Sequence, residues 1–394
     1  MTRRVDSNLL YELKDFGAIS PEACFNCGNC TAICPMSTDD SQFPRRIIRM
    51  AQLGLKEDLL GSKELWLCYN CGECSETCPK QAEPGNLMMA ARSYAISNYS
   101  PFKIGQLFST KPVFGGLLAA LMVLFFGFFM YSEHQIMATD SLKLFGFIPY
   151  EFIHVLGLSV MILIAVIALM TIYKMISSIG KANDLSFKQF FKGSQMNWFK
   201  AFWEALVVQA LLQKRYREDC ETTDDTKFWF LSKWFVHAAT MWGFLGLLLA
   251  TVLDYLLDII GVKPTGTFVP IWYPTRLIGT LSGLLFLFGI SILLYRRIRP
   301  TKKSYSNSLF SDWLFLTLLG LAGLTGFIVE IALYLPGAPM WGYWIFIFHV
   351  SVSITLILLL PFTKFAHAIY RTVALYVYNL KPLPEQEAVP ASAN

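Results

Sequence analysis

The 394-residue chain is 54% hydrophobic, with a formal net charge of +5 and a mean hydropathy of +0.45. That is too apolar for an ordinary soluble domain and points to a polytopic membrane protein. Its basic residues sit in loops beside apolar runs, which argues for membrane orientation and against nucleic-acid binding.

Arg3-Arg4 is followed by Val-Asp-Ser-Asn and no apolar core, so neither a secretory nor a twin-arginine signal is read. Residues 1–105 read as a polar domain with helical patterns at 45–54, 56–67 and 84–97 and poor strand signals. Two cysteine runs lie in this domain. Cys24, Cys27, Cys30 and Cys34 precede Pro35, and Cys68, Cys71, Cys74 and Cys78 precede Pro79. Each is C-x2-C-x2-C-x3-C-P, the spacing that wraps thiolates around a [4Fe–4S] cube. In two-cluster ferredoxins the fourth cysteine of each run ligates the other cluster. By that rule Cys24, Cys27, Cys30 and Cys78 hold one cluster, and Cys68, Cys71, Cys74 and Cys34 the other. Zinc knuckles use paired C-x2-C units, and disulfides are disfavoured in a reducing compartment, so the domain is expected to face the cytoplasm. Cys220, alone among charged residues, reads as incidental.

Six apolar spans follow, at about 113–131, 150–174, 234–258, 275–295, 309–334 and 342–370, each long enough to cross a bilayer. They define a transmembrane domain over 106–380, with a flexible tail at 381–394. The 175–233 and 296–303 connections are rich in Lys and Arg. The opposite loops carry Lys143, Lys263 and Arg276. Positive-inside asymmetry therefore puts both termini on the cytoplasmic face of a multi-pass inner-membrane protein. Trp272, Tyr273, Trp341, Tyr343 and Trp344 form an expected outer aromatic belt. Residues 196–216 read as an amphipathic inner helix, lying on the membrane or packed on the cysteine domain. Gly279/Gly283 and Gly320/Gly323/Gly326 allow close helix approach. The fold class expected is all-α: a helical ferredoxin domain fused to a six-helix cytochrome b bundle.

Four of the five histidines fall in spans. His349 and His367 are 18 residues apart, which on one continuous helix is five whole turns, or about 27 Å along a single face. Depth then pairs His154 with His349 as ligands of an outer b-type haem, and His237 with His367 as ligands of an inner one. Two imidazoles leave iron no open position, which suits electron transfer. His134, in an outer loop, is the alternative to His154 or a proton carrier. Unrelated polar contacts are the bland reading of all four. Glu330, in the apolar run GFIVEIAL, is a candidate proton acceptor for a quinol. Its rival role is an ion pair with Arg276, which in turn is a candidate partner for a haem propionate.

The cysteine domain resembles the C subunit of heterodisulfide reductase. The region from about 150 onward resembles the cytochrome b (gamma) subunit of nitrate reductases, on KWFVHAATMWGFLGL around His237 and the two histidines of span six. The order of the parts is similar to the C subunit of quinone-interacting membrane-bound oxidoreductase (Qmo) complexes. That resemblance implies electrons taken from menaquinol and passed to cytoplasmic flavin/Fe–S proteins like the A subunit of heterodisulfide reductase. It also implies adenosine phosphosulfate reductase as acceptor in sulfate respiration. One departure stands out: Leu247 occupies the position where the nitrate reductase pattern has a second histidine on the span of His237. There is no Cys-Cys-Gly motif and no nucleotide fingerprint, so thiol reduction and flavin chemistry would belong to partners. The alternatives are a subunit feeding a heterodisulfide or other thiol reductase, and a membrane anchor or redox sensor without quinone chemistry.

Overall fold

The computed structural model describes residues 4–38, 41–183, 198–221, 228–264 and 266–380. The expected flexible tail at 381–394 lies outside these residues, as does the side chain of Cys220. Among the described residues there are helices and no strand beyond one isolated bridge, Thr38 to Ser41.

The N-terminal part is built from short helices: α1 (Leu9–Asp15), α2 (Asn29–Ala32), α3 (Arg45–Gln52), α4 (Lys56–Leu60), α5 (Glu73–Glu76) and the longer α6 (Pro84–Tyr99). Helix α3 buries Ile47, Ile48, Met50 and Ala51, and Gly54 beyond it takes φ 71°, a left-handed turn that favours glycine. Helix α6 is buried nearly all round, so it is the axis of the domain core. After α7 (Ile104–Thr110) come six helices long and apolar enough to cross a membrane. These are α8 (Pro112–Ser132), α10 (Tyr150–Ala182), α13 (Lys233–Ile259), α14 (Pro274–Ile298), α16 (Phe310–Tyr334) and α17 (Met340–Leu358). The short helices α9 (Leu144–Phe147) and α15 (Lys303–Ser306) lie between spans, α11 (Trp198–Trp203) and α12 (Lys214–Glu221) precede α13, and α18 (His367–Leu380) ends the described chain.

The cysteine domain and the bundle share one core. Met175 and Ile179 of α10, Ala205, and Tyr370, Ala374 and Val377 of α18 are buried with Leu59, Trp66, Leu87 and Tyr99. Helix α10 makes this possible by length. Its 33 residues span about 50 Å, against about 30 Å of hydrocarbon. The surplus reaches the cysteine domain, where Gly61 accepts it. A Cβ on Gly61 would stand 2.2 Å from Ala182 Cβ and 2.5 Å from Ser178 O.

Three expectations are corrected. Span six is not one helix over 342–370. Helix α17 stops at Leu358, two tight turns follow (Leu360–Phe362 and Lys364–Ala366), and α18 starts afresh at His367. Pro361 has no N–H to continue the ladder, and Thr363 is extended at φ −118°, ψ −175°. The five-turn count between His349 and His367 therefore does not hold. The inner stretch is not one regular helix either. Helix α11 runs into a π-helical segment, Glu204–Leu211, and the chain breaks at Gln213 before α12. Its Phe199, Phe202 and Trp203 are exposed while Ala201 and Ala205 are buried. Lastly, Tyr343 is not part of an exposed belt. It is buried, donates to Ala138 O and accepts from Lys143 N.

Glycines set the closest helix crossings. A Cβ on Gly243 of α13 would meet Phe286 N of α14 at 2.5 Å, and one on Gly289 would meet Thr240 Oγ1 at 2.3 Å. Of the glycines expected to matter, Gly323 and Gly326 are tight, at 2.8 Å from Phe286 and 2.9 Å from His349, while Gly279 has an ordinary 3.7 Å contact.

Candidate functional site

The two cysteine runs fold as near-copies. Each reads Cys-aromatic-Asn-Cys-Gly-x-Cys: CFNCGNC at 24–30 and CYNCGEC at 68–74. In both, the Asn and Gly are left-handed: Asn26 at φ 61° and Gly28 at 89°, Asn70 at 55° and Gly72 at 92°. Successive backbone N–H groups in such turns point inward and favour negative charge. Asn70 N donates to Cys68 Sγ and Ala82 N to Cys78 Sγ, each at 3.4 Å. The internal repeat is readable in the sequence but is not carried by cysteine spacing alone.

Cys24, Cys27, Cys30 and Cys78 line one concavity. The thiols of Cys34, Cys68, Cys71 and Cys74 lie within electrostatic reach of one another. The fourth cysteine of each run thus sits with the other run's first three. Burial pushes Cys34 up to about 12, against two backbone N–H bonds that pull it down. Burial and the facing thiols push Cys74 up as well. Four thiols gathered this closely become thiolates together only when positive charge sits among them, which is the fit expected for iron clusters.

The second quartet faces the bundle. Lys233 Nζ of α13 donates to Cys71 O at 2.9 Å, and Arg92 Nη2 to Cys68 O at 2.5 Å. Arg371 of α18 donates to Trp66 O and Leu67 O at 3.0 and 2.9 Å. The loop between α14 and α16 clasps the same region: Lys303 N bonds Glu76 and Lys303 Nζ pairs with Glu83, each at 2.8 Å. The first quartet lies on the solvent side, with Cys27 and Phe25 exposed.

His237 and His367 face each other, ring centres 6.4 Å apart and planes at 63°. Two metal–imidazole bonds of about 2.0–2.1 Å, plus the distance from ring nitrogen to ring centre, put the centres of two axial ligands about 6–6.5 Å apart. Each Nδ1 is taken: His367 donates to Lys364 O at 2.6 Å, and His237 bonds Gln213 Oε1 at 3.1 Å. A carbonyl on Nδ1 leaves the Nε2 lone pair free for a metal, the arrangement that orients metal-binding histidines. Phe315, Phe365 and Phe244 make an aromatic wall beside the pair. The site suits a bis-histidine haem. A ring path leads on from it: His237 to Tyr216 at 5.8 Å, and Tyr216 to Tyr69, beside Cys68, at 4.9 Å. Sequence reasoning does not single out Gln213, Tyr216 or Arg371. Only Arg371 has a periodic signal, four residues after His367.

Among the described residues His154 and His349 make no ring contact with each other. His349 bonds Thr325 Oγ1 at 3.1 Å, and Thr325 spends its own proton on Leu321 O, so His349 Nδ1 is the donor. His154 instead stacks on Tyr255 at 4.7 Å and touches Tyr150 at 4.1 Å. His134 is exposed and stacks on Tyr131 at 4.3 Å, outside the bundle. Glu330 accepts from Thr280 Oγ1 at 2.6 Å, and among the described residues it makes no ion pair with Arg276. Among the described residues no three His, Cys, Asp or Glu converge on a single metal ion.

Residues 20–82 match the 4Fe-4S dicluster domain, and residues 112–386 match the Citrate utilization protein B model. The second match covers more than half of the chain, and the chain belongs to the CitB family. Curated relatives match only in the cysteine domain. The C subunit of the "H(2):CoB-CoM heterodisulfide,ferredoxin reductase" of Methanothermobacter thermautotrophicus is 36% identical over 63 residues, 16% of this chain and 34% of that protein. The iron-sulfur C subunit of the "CoB--CoM heterodisulfide reductase" of Methanopyrus kandleri is 43% identical over 49 residues, 12% of this chain and 26% of that protein. The match thus spans about a third or less of each relative's length. No solved structure matches the chain. The chain thus joins a 4Fe-4S dicluster domain to a helical bundle compatible with multi-pass membrane insertion.

Proposed function

We propose that this protein is the membrane subunit of a quinone-linked respiratory complex, similar to the C subunit of Qmo complexes. In this reading menaquinol is oxidised at the bundle, releasing two electrons and two protons. The electrons cross by two b-type haems and two [4Fe–4S] clusters to cytoplasmic flavin/Fe–S subunits, and on toward adenosine phosphosulfate reductase. The observation that carries it is the line of rings from His367 and His237 through Tyr216 to Tyr69 beside the second quartet.

His237 and His367 would hold an inner haem, and His349 with His154 an outer one. Cys24, Cys27, Cys30 and Cys78 would hold a solvent-side cluster, and Cys34, Cys68, Cys71 and Cys74 a membrane-side one. Bound there, these groups supply one-electron carriers. The rest of the work falls to the chain. Lys364 O and Gln213 orient the inner imidazoles. Arg371 ties the helix that starts at His367 to the loop before Cys68. Glu330, bonded to Thr280, accepts a quinol proton, and Arg276 lies nearby to hold a propionate.

A second reading is favoured by the likeness of the cysteine domain to the C subunit of heterodisulfide reductase: the same wire feeding a thiol reductase. Purified native complex decides between them. We expect two haems and eight cluster irons per chain, and haem bands that reduce on adding a menaquinol analogue. Bands that stay oxidised with quinol but respond to a thiol/disulfide couple would replace the first reading by the second.

A further inference from the structure

The cysteine domain has a cationic face around its solvent-side quartet, and nothing described above uses it. Helix α3 turns its apolar residues inward, which leaves Arg46 and Arg49 exposed. With Arg45 they line an open concavity of about 670 Å³, together with Phe25, Asn26 and Leu55. Among the described residues none of these arginines is paired with a carboxylate. Arg45 donates to Gln42, and Lys80 lies over the Phe25 ring at 5.7 Å. Phe25 is 58% exposed and Leu53, at the end of α3, 44%. Asn26 Oδ1 is buried at this edge and has no hydrogen-bond partner among the described residues.

An exposed aromatic ring and an aliphatic side chain ringed by arginines that have no carboxylate partner among the described residues form the pattern of a recognition patch, with apolar contact at the centre and charge at the rim. Its position is informative too. The membrane-side quartet is enclosed by Lys233, Arg92 and Arg371, whereas Cys27 of the other quartet reaches the surface beside the patch.

We propose that this face, centred on Phe25, Arg46 and Arg49, is where a soluble redox protein with a carboxylate-rich surface docks to exchange electrons with the first quartet's cluster. The proposal rests on the electron-transfer reading above. Each event moves one electron: the cluster is oxidised, the partner's flavin or iron–sulfur centre is reduced, and no bond is made or broken. The same contact serves the reverse direction.

The test uses the full-length, cofactor-loaded protein and two defined carriers of opposite charge. Reduced plant-type ferredoxin, an acidic one-electron carrier, is mixed with the oxidised protein, and cytochrome c, a basic one, with the reduced protein. We expect the ferredoxin rate to fall as salt is raised, and to fall at least about 10-fold in Arg46→Glu/Arg49→Glu. The cytochrome c rate should rise in that variant, and Arg46→Gln/Arg49→Gln should fall between. Cluster EPR signals in each variant show that the domain is intact. A ferredoxin rate indifferent to salt and to both variants overturns the proposal. So does loss of binding to phosphatidylglycerol vesicles with ferredoxin kinetics unchanged, which would make the patch a lipid-headgroup contact. A change in oligomeric state alone would make it a contact between copies. Quinol reduction of the haem bands is followed separately in the same samples. Its failure would remove the menaquinol reading and leave the docking result standing.

Discussion

Gln213 Oε1 sits 3.1 Å from His237 Nδ1, on a residue whose own backbone is left-handed at φ 52°. A non-glycine residue held there is strained by about 1–3 kcal/mol, so something must hold it. Two bonds do: Trp242 Nε1 donates to Leu211 O at 2.8 Å, and Gln213 Nε2 contacts Met241 Sδ at 3.3 Å. The π-helical segment before it shifts the register that brings Gln213 inward. Gln213→Leu keeps the bulk and removes the acceptor. Losing such a partner typically weakens metal binding by about 10–100-fold. We expect the inner haem to be retained less well and its midpoint potential to move, checked by redox titration of the haem band. An unchanged potential and full haem content would show that Gln213 does not set the His237 ring.

Arg371 joins the two redox regions by covalent and hydrogen-bonded links. It lies one helical turn after His367, bonds Trp66 O and Leu67 O, and stands 4.8 Å from the centre of the Tyr69 ring. A hydrogen bond from a charged group contributes about 1.5–3 kcal/mol. Arg371→Met should therefore loosen the loop before Cys68 without removing a ligand. The expected result is slower transfer from haem to cluster, with haem and iron content unchanged, read by rapid-mixing spectroscopy.

What was legible in the sequence was local or compositional. The cysteine runs show their chemistry in eleven residues each, and the six long helices follow from apolar length. What was not legible depends on elements far apart in the chain. The run LLLPFTKFAH is apolar enough to read as span, yet Pro361 within it ends the helix and lets His367 start another. The pairing of His237 with His367 follows from depth, and the premise of one unbroken helix is not needed for it. Gln213 and Tyr216 lie in a stretch whose pattern reports only a surface helix. Their place beside His237 comes from the backbone break, which no periodicity signals.

Lys63 is buried, with its ammonium 4.5 Å from the Tyr378 ring of α18, and burial lowers it to about 8 from its usual 10.5. The folded form then binds fewer protons than the unfolded form between about pH 8 and 10.5, so stability rises with pH across that window. Below pH 8 both forms are protonated and the folded state bears the whole cost of the buried charge. Lys63→Met should flatten this rise, measured by thermal unfolding of the detergent-solubilised protein at pH 7, 8.5 and 10. A slope as steep in the variant as in the wild type would assign it to other groups.

The junction at Gly61 predicts how tightly the cysteine domain depends on span two. A Cβ there would meet Ala182 Cβ and Ser178 O well inside contact distance, and neither is the end of a flexible chain. Gly61→Val must push α10 away from α4, at a cost of about 1–3 kcal/mol. Gly61→Val should thus unseat the domain and expose its cleavage sites to protease while the bundle's helicity persists.

Among the described residues His154 and His349 make no ring contact of the kind His237 and His367 make. His349 Nδ1 is bonded to Thr325 Oγ1, and its ring lies against Gly326, where any side chain would meet it. His154 is stacked on Tyr255, so it must leave that ring before it can face an iron. Phe at 154 would keep the stacking surface and remove the ligand. If His154 is the second axial ligand, His154→Phe lowers haem content from two to one per chain and leaves the inner haem's spectrum unchanged. His349→Ala should do the same, and His367→Ala should remove the inner haem's signal. If His154→Phe keeps both haems while His349→Ala loses one, His349 takes its partner elsewhere. If neither variant changes the haem content, the bundle holds the inner haem alone, and the quinol must deliver its electrons on the cysteine side.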